Sequence, residues 1–163
     1  MKSLVLIDCD GVIFPFATEY TGERVWPDLE PRPVNPAGDE QVIAPQVIKK
    51  LSTLMRTSVP FLWLTAWYRQ TEHFPATLGF PKFDYVNHPG QATKSWWKLD
   101  YVQSIPEDTE ILWIDDDAKD DVETTAWLET VAERVTCVSP NIYHGISPEE
   151  LALIDAWVTA RAV

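Results

Sequence analysis

Five short apolar-rich runs, at residues 4–7, 61–64, 84–86, 111–114 and 135–138, alternate along the chain with stretches of helical periodicity. Runs that are apolar throughout, not at every second position, mark strands buried on both faces. Such strands belong to a mainly parallel sheet covered by helices. The stretches between supply those helices. Residues 45–56 place Val47, Ile48, Leu51, Leu54 and Met55 at 3–4 spacing. Helices are also predicted over 71–78, where Pro75 interrupts the pattern, and over 94–104 and 122–132. Ser147-Pro148-Glu149-Glu150 begins a last helix reaching about 161: a hydroxyl cap, a proline in the first turn and acids against the positive end of the dipole. The expectation is an α/β three-layer sandwich, Rossmann-like, with a central mainly parallel sheet. Its 163 residues suit a single domain, 1–163, around one core. Ligands in such sheets sit beyond the carboxyl ends of the strands.

Those ends carry unusual residues. "LVLIDCDG" closes the first run with Asp8 and Asp10, and Gly11 permits a tight turn behind them. Alternation in an extended chain puts both acids on one side and Cys9 on the other. Two close carboxylates repel, and a bound Mg²⁺ relieves that repulsion. One carboxylate is then free to act as a nucleophile and the other to carry a proton. A calcium loop is the competing use of D-x-D-G, but Val12, Ile13 and Phe14 follow where further oxygen ligands would be needed. In "FLWLTAW", Thr65 closes the second strand with a hydroxyl able to hold a phosphate oxygen. In "GQATKSWWK", Lys94 stands where a helix opens, a place disfavoured for a cation unless an anion or carboxylates are near. Lys98, one turn on, is its competitor. "ILWIDDDAKDD" ends a buried run in Asp115, Asp116 and Asp117, followed by Asp120 and Asp121. Helix capping accounts for Asp117 and Asp121. Asp115 and Asp116 lie at the strand edge itself, and the spacing lets Asp116 and Asp120 turn inward together.

In this order, D-x-D-G, Thr, Lys and D-D-x-x-x-D, the chain resembles the haloacid dehalogenase (HAD) superfamily of phosphohydrolases from Asp8 to about Asp121. A response-regulator receiver also uses acids, Thr and Lys, but there no second acidic cluster follows the lysine. The resemblance implies a sheet of order 5-4-1-2-3 and a Mg²⁺-dependent aspartyl-phosphate mechanism. It implies Asp8 as the nucleophile, and Asp10 as the general acid/base whose backbone carbonyl would also reach the metal. By the same resemblance Thr65 and Lys94 would hold the phosphoryl group, and Asp116 would bind Mg²⁺, with Asp115 and Asp120 in or just behind its shell. An acid at Asp10 favours a phosphatase over a dehalogenase. Val12 and the Asp115-Asp116 pair are small departures from the commoner pattern.

Residues 14–44 stand apart, with Pro15, Pro27, Pro31, Pro33 and Pro36 opposing both helix and central strand. A loop so long is expected to be a flap or small cap over the site, with room for a small hairpin, or else a variable surface loop. A cap this small is expected, by family analogy, to leave the site open to large substrates. Trp26, Trp67 and Arg69 are candidate substrate contacts, and Trp63, Trp113, Trp127 and Trp157 are expected in the core.

A net charge of −12 repels nucleic-acid backbones and anionic membranes, so no extended nucleic-acid surface is expected. Two unpaired cysteines, Cys9 and Cys137, predict neither a disulfide framework nor a zinc site. No run suits a membrane span or a leader, so a cytoplasmic location is expected. The sequence leaves the substrate open between a phosphorylated small molecule and a nucleic-acid end in a repair or processing system. It leaves open the oligomeric state, and a non-catalytic metal- or phosphate-binding module.

Overall fold

The central strand β1 (Lys2–Ile7) lies between β4 (Phe61–Trp63) and β5 (Thr109–Ile114), and β6 (Val135–Val138) follows β5. All three pairings are parallel. This computed structural model describes residues 2–17, 21–87 and 96–162. The register decides where chemistry can occur. Ile7 is opposite both Trp63 and Ile114, and Ile114 is opposite Val138. Four strands therefore finish in one row, and whatever follows each meets at one edge.

The sheet buries both faces. Val5, Ile7, Trp63, Leu112 and Ile114 pack with Leu51 and Leu54 of α1 (Pro45–Leu54) and Ile154, Trp157 and Val158 of α5 (Pro148–Thr159). Leu6, Ile111 and Trp113 point the other way. They pack with Leu99 and Val102 of α3 (Trp97–Ser104) and with Trp127 and Leu128 of α4 (Val122–Thr130). The period-2 alternation of β1 and β5 thus feeds two apolar layers, which is why both strands read as continuous runs. Trp63, Trp113 and Trp157 are buried in these layers, and Trp127 is half-buried against one of them.

The strand expected at 84–86 is reduced to a single bridge, Tyr85 against Trp63. The Trp63 N–H donates to Asp84 O at 3.1 Å, and the Val86 N–H to Trp63 O at 2.9 Å. The described sheet is four-stranded, with order β4-β1-β5-β6; these are strands 2-1-4-5 of the expected order, and the segment expected as strand 3 contributes only its bridge to β4. The helix expected over 71–78 is divided into a 3-10 turn, Tyr68–His73, and a short α2, Phe74–Thr77. Pro75 falls in the first turn of α2, where its missing N–H costs nothing.

Within 14–44 a hairpin forms from β2 (Glu30–Pro33) and β3 (Glu40–Ile43). The Asn35 side-chain oxygen accepts from the N–H groups of Ala37 and Asp39, and Gly38 takes φ +85° to complete the turn. Val34, Ile43 and Ala44 are buried, and Thr77 Oγ1 donates to Val34 O at 3.4 Å. The Trp26 indole N–H donates to Ile146 O at 2.7 Å. The described part of this segment is therefore tied to the body through backbone as well as side chains.

Helix α5 begins with the capping box expected from Ser147 and Glu150. The Ser147 hydroxyl accepts from the Glu150 N–H at 3.2 Å, and the Glu150 carboxylate accepts from the Ser147 N–H at 2.8 Å. Among the described residues, no helix is long and apolar enough to cross a membrane. Ser147→Ala leaves an orphan N–H at this helix start. It is expected to lower unfolding free energy by about 1 kcal/mol, read as a lower urea midpoint at unchanged slope.

Candidate active site at the carboxyl edge of the sheet

The ladder continues one residue past β1 and β5. The Asp8 N–H donates to Ile114 O at 3.0 Å, and the Asp115 N–H donates to Val138 O at 3.0 Å. This places Asp8 beside Asp115. The chain then curls back on itself. The Cys9 carbonyl accepts from the N–H groups of Val12, Ile13 and Phe14 at 3.2, 2.9 and 3.0 Å. Gly11 takes φ +66°, and a Cβ there would overlap the carboxylate of Asp116. The glycine of D-x-D-G is thus needed twice, for a positive φ and for the close approach of the second acidic cluster.

Carboxylate oxygens of Asp8, Asp115 and Asp116 all lie within 4.8 Å of one another. Asp8 and Asp115 are buried, and Asp116 is half-buried. Into this group projects Lys98, from the first turn of α3 and itself 5% exposed. Its ammonium donates to Asp8 Oδ2 and, at 2.7 Å, to Asp115 Oδ2. Burial opposes its charge, but Asp115 and Asp8 raise its pKa, so it stays a cation. When all three are ionised, the carboxylates and the ammonium carry a formal charge of −3 + 1 = −2. Burial, with help from neighbouring acids, pushes Asp115 and Asp116 each up to about 7. An all-oxygen donor set with two surplus negative charges fits a hard divalent cation such as Mg²⁺. Further oxygen ligands can come from water and substrate.

Asp10 stands outside this group of three. Its Oδ2 accepts from the Trp67 indole N–H at 2.9 Å. Burial raises its pKa, the indole bond lowers it, and Asp8 raises it further. Thr65 follows β4 and is fully buried. Its hydroxyl oxygen accepts from the Trp67 backbone N–H at 3.3 Å, and its side chain also hydrogen-bonds Cys9. Cys9 is buried, and desolvation, reinforced by Asp8, pushes its thiol pKa well up, so it is held protonated behind the site.

Asp8, Asp10, Thr65, Asp115 and Asp116 therefore come together at one edge. Asp120 is exposed and shares a cavity of ≈ 360 Å³ with Asp116, Lys119, Ser139 and Asn141, but it is not one of the three clustered carboxylates. Lys94 lies outside the described residues; the lysine on Asp8 is its competitor Lys98. The sequence carried one usable signal for this. Lys98 precedes Leu99 and Val102, the buried positions of α3, and so falls near its inward face. Trp67 meets the cleft through its N–H, whereas the N–H of Trp26 is engaged by Ile146. Arg69 is exposed and lines a second cavity, of ≈ 510 Å³, with Trp67 and Tyr68. Of the two acids assigned to capping, Asp121 is the N-cap of α4, accepting from Thr124 N at 2.7 Å. Asp117 instead donates its N–H to Asp115 Oδ1 at 3.1 Å.

No protein-family profile matches the chain, and no curated protein matches its sequence. Among solved structures, the chain is similar to the HAD domain of the effector protein Lem4 from Legionella pneumophila. The TM-score is 0.53 at 12% identity, and the match covers 99% of this chain and 95% of that one. The fold is thus HAD-like.

The raised carboxyls set a pH dependence. In the folded protein Asp115 and Asp116 keep their protons to about pH 7, whereas an unfolded chain releases them near pH ~4. Between those values the folded state binds more protons, so metal-free stability is expected to fall as the pH rises from about 4 to 7. Mg²⁺ competes with those protons. Its addition is expected to raise the melting temperature more at pH 8 than at pH 5, by calorimetry, and less in Asp116→Asn.

Proposed function

We propose that the protein is a Mg²⁺-dependent phosphomonoester hydrolase working through an aspartyl-phosphate on Asp8. The observation that carries this reading is the cluster of Asp8, Asp115 and Asp116 with Lys98 on Asp8, at the row of strand ends of a HAD-like fold. A carboxylate held by an ammonium, with its Oδ1 also accepting from Cys9 N at 2.7 Å, cannot rotate freely. A fixed carboxylate is what in-line attack on phosphorus would require.

In this reading Asp8, Asp116 and the Asp10 carbonyl hold the metal, with Asp115 beside them. When bound, Mg²⁺ supplies charge stabilisation for the phosphoryl oxygens. Lys98 adds a positive charge to the same phosphoryl group and keeps Asp115 and Asp8 apart from each other's full repulsion. Thr65 offers a hydroxyl at the adjoining strand end. Asp10 protonates the departing oxygen as the phosphorus–oxygen bond breaks. It then takes a proton from the water that attacks the phospho-aspartate, returning Asp8 as a carboxylate and releasing phosphate.

A second reading concerns the substrate. Beside Trp67 the rim carries Tyr68, exposed Arg69 and Trp97, with the Tyr68 and Trp97 rings 6.2 Å apart. Aromatic faces next to a cation favour a terminal nucleotide of a nucleic-acid strand. The charge of −12 would confine such a grip to that rim.

Hydrolysis of p-nitrophenyl phosphate is expected to require Mg²⁺ and to fall about 10³-fold or more in Asp8→Asn. Equal metal-dependent rates in the two proteins would count against the mechanism. Magnesium binding without turnover of any phosphate ester would instead favour a non-catalytic binding module. Comparing 5′- and 3′-phosphorylated oligonucleotides with sugar phosphates separates the two substrate classes by kcat/KM.

A further inference from the structure

The geometry points to Trp67 as a positioning residue for the proton-transfer carboxyl of Asp10, an inference that rests on the phosphohydrolase reading. Nothing in D-x-D-G specifies how the second acid is oriented. A carboxyl group turns about its last bond with little preference between two broad wells, so a half-buried Asp needs an external constraint. The Trp67 indole provides it at 2.9 Å from Asp10 Oδ2.

The indole is itself held on several sides. Its ring lies 5.0 Å from Phe14 and 5.8 Å from Phe74, and those two rings meet edge-on at 5.7 Å. Phe14 and Phe74 are buried. Phe14 also closes the loop that begins at Asp10, since the Gly11 N–H donates to Phe14 O at 3.0 Å. The Trp67 backbone N–H is tied to the Thr65 hydroxyl at 3.3 Å, and its carbonyl accepts from Gln70 N at 2.9 Å. The next residue, Tyr68, takes φ +44°, a left-handed conformation that a bulky residue adopts only when its surroundings impose it. The turn that carries Thr65 thus also delivers the indole to Asp10.

An indole N–H can donate but cannot accept. Oδ2 of Asp10 is the accepting oxygen, and because an unprotonated oxygen is the stronger acceptor, the bond favours Oδ1 as the site of a proton. A hydroxyl in place of the indole could rotate and permit either arrangement. Trp67 selects the oxygen that gives its proton to the leaving group, and the same oxygen that later receives one from water. It does this without a net charge, so it can accompany the carboxyl in both states.

The test uses Trp67→Phe, which keeps an aromatic ring between Phe14 and Phe74 and removes the N–H. With Mg²⁺, kcat/KM reports the steps through departure of the leaving group. p-Nitrophenolate departs without help, whereas an alkoxide requires a proton. General acid catalysis contributes about 10²–10⁴-fold where it is needed, and loss of its orientation is expected to remove roughly 10-fold or more of that for glycerol phosphate. For p-nitrophenyl phosphate the loss is expected to stay under about 3-fold. Equal losses on the two substrates, with wild-type turnover intact, would overturn the inference alone. Absence of Mg²⁺-dependent turnover in the wild type would overturn the hydrolase reading, and this role with it. A second measurement needs neither activity nor a folded Trp67 variant. The Trp67 indole N–H resonance, assigned by triple-resonance NMR, is expected to move upfield in Asp10→Ala; an unmoved resonance would refute the contact.

Discussion

The ammonium of Lys98 between Asp8 and Asp115 is the interaction around which the site is organised. Two buried carboxylates at adjacent strand ends repel strongly in a medium of low polarity. A cation donating to both converts that repulsion into a constraint joining α3 to β1 and β5. Removing one partner from such a group leaves an uncompensated buried charge, which is costly, commonly about 3–5 kcal/mol. The ammonium balances only part of the negative charge of the cluster once Asp116 is included. The negative charge that remains makes this edge compatible with a divalent cation.

That arrangement depends on strand register. Ile7, Trp63, Ile114 and Val138 end in one row, so Asp8, Thr65 and Asp115 arrive together although they are far apart in sequence. A shift of one residue in either parallel pairing would turn these side chains to the opposite face. The apolar residues of β1 and β5, buried on both sides, hold the register. Core packing and site geometry are consequently not separable here: the contacts that stabilise the sheet also set the distances among the acids.

Much of this was legible in the chain itself. The apolar runs marked four strands, and the Ser147 box marked the start of α5 to the residue. The acids Asp8, Asp115 and Asp116 were readable because charge at the end of a fully apolar run has no cheap structural explanation. Other features were hidden for physical reasons. Asp84-Tyr85-Val86 has the composition of an edge strand, and only its neighbours decide whether it pairs beyond one bridge. Asp120 has the right helical offset from Asp116, yet it faces solvent because the turn after Asp116 is not a helix. Lys98 was readable only as a competitor of Lys94, and Trp67 only as a candidate substrate contact. Their roles come from partners distant in sequence, Asp8 and Asp10.

The sequence by itself determined the layered α/β architecture and the edge at which chemistry is concentrated. Those follow from hydrophobic periodicity and from glycine and proline placement, which act over a few residues. Only the tertiary structure decided which lysine meets Asp8, which oxygen of Asp10 is engaged, and that the segment ahead of the hairpin is fastened through Trp26 to Ile146. Each is a hydrogen bond between groups brought together by register and packing. Its geometry is set to within tenths of an ångström by the whole core and is not encoded in any local stretch.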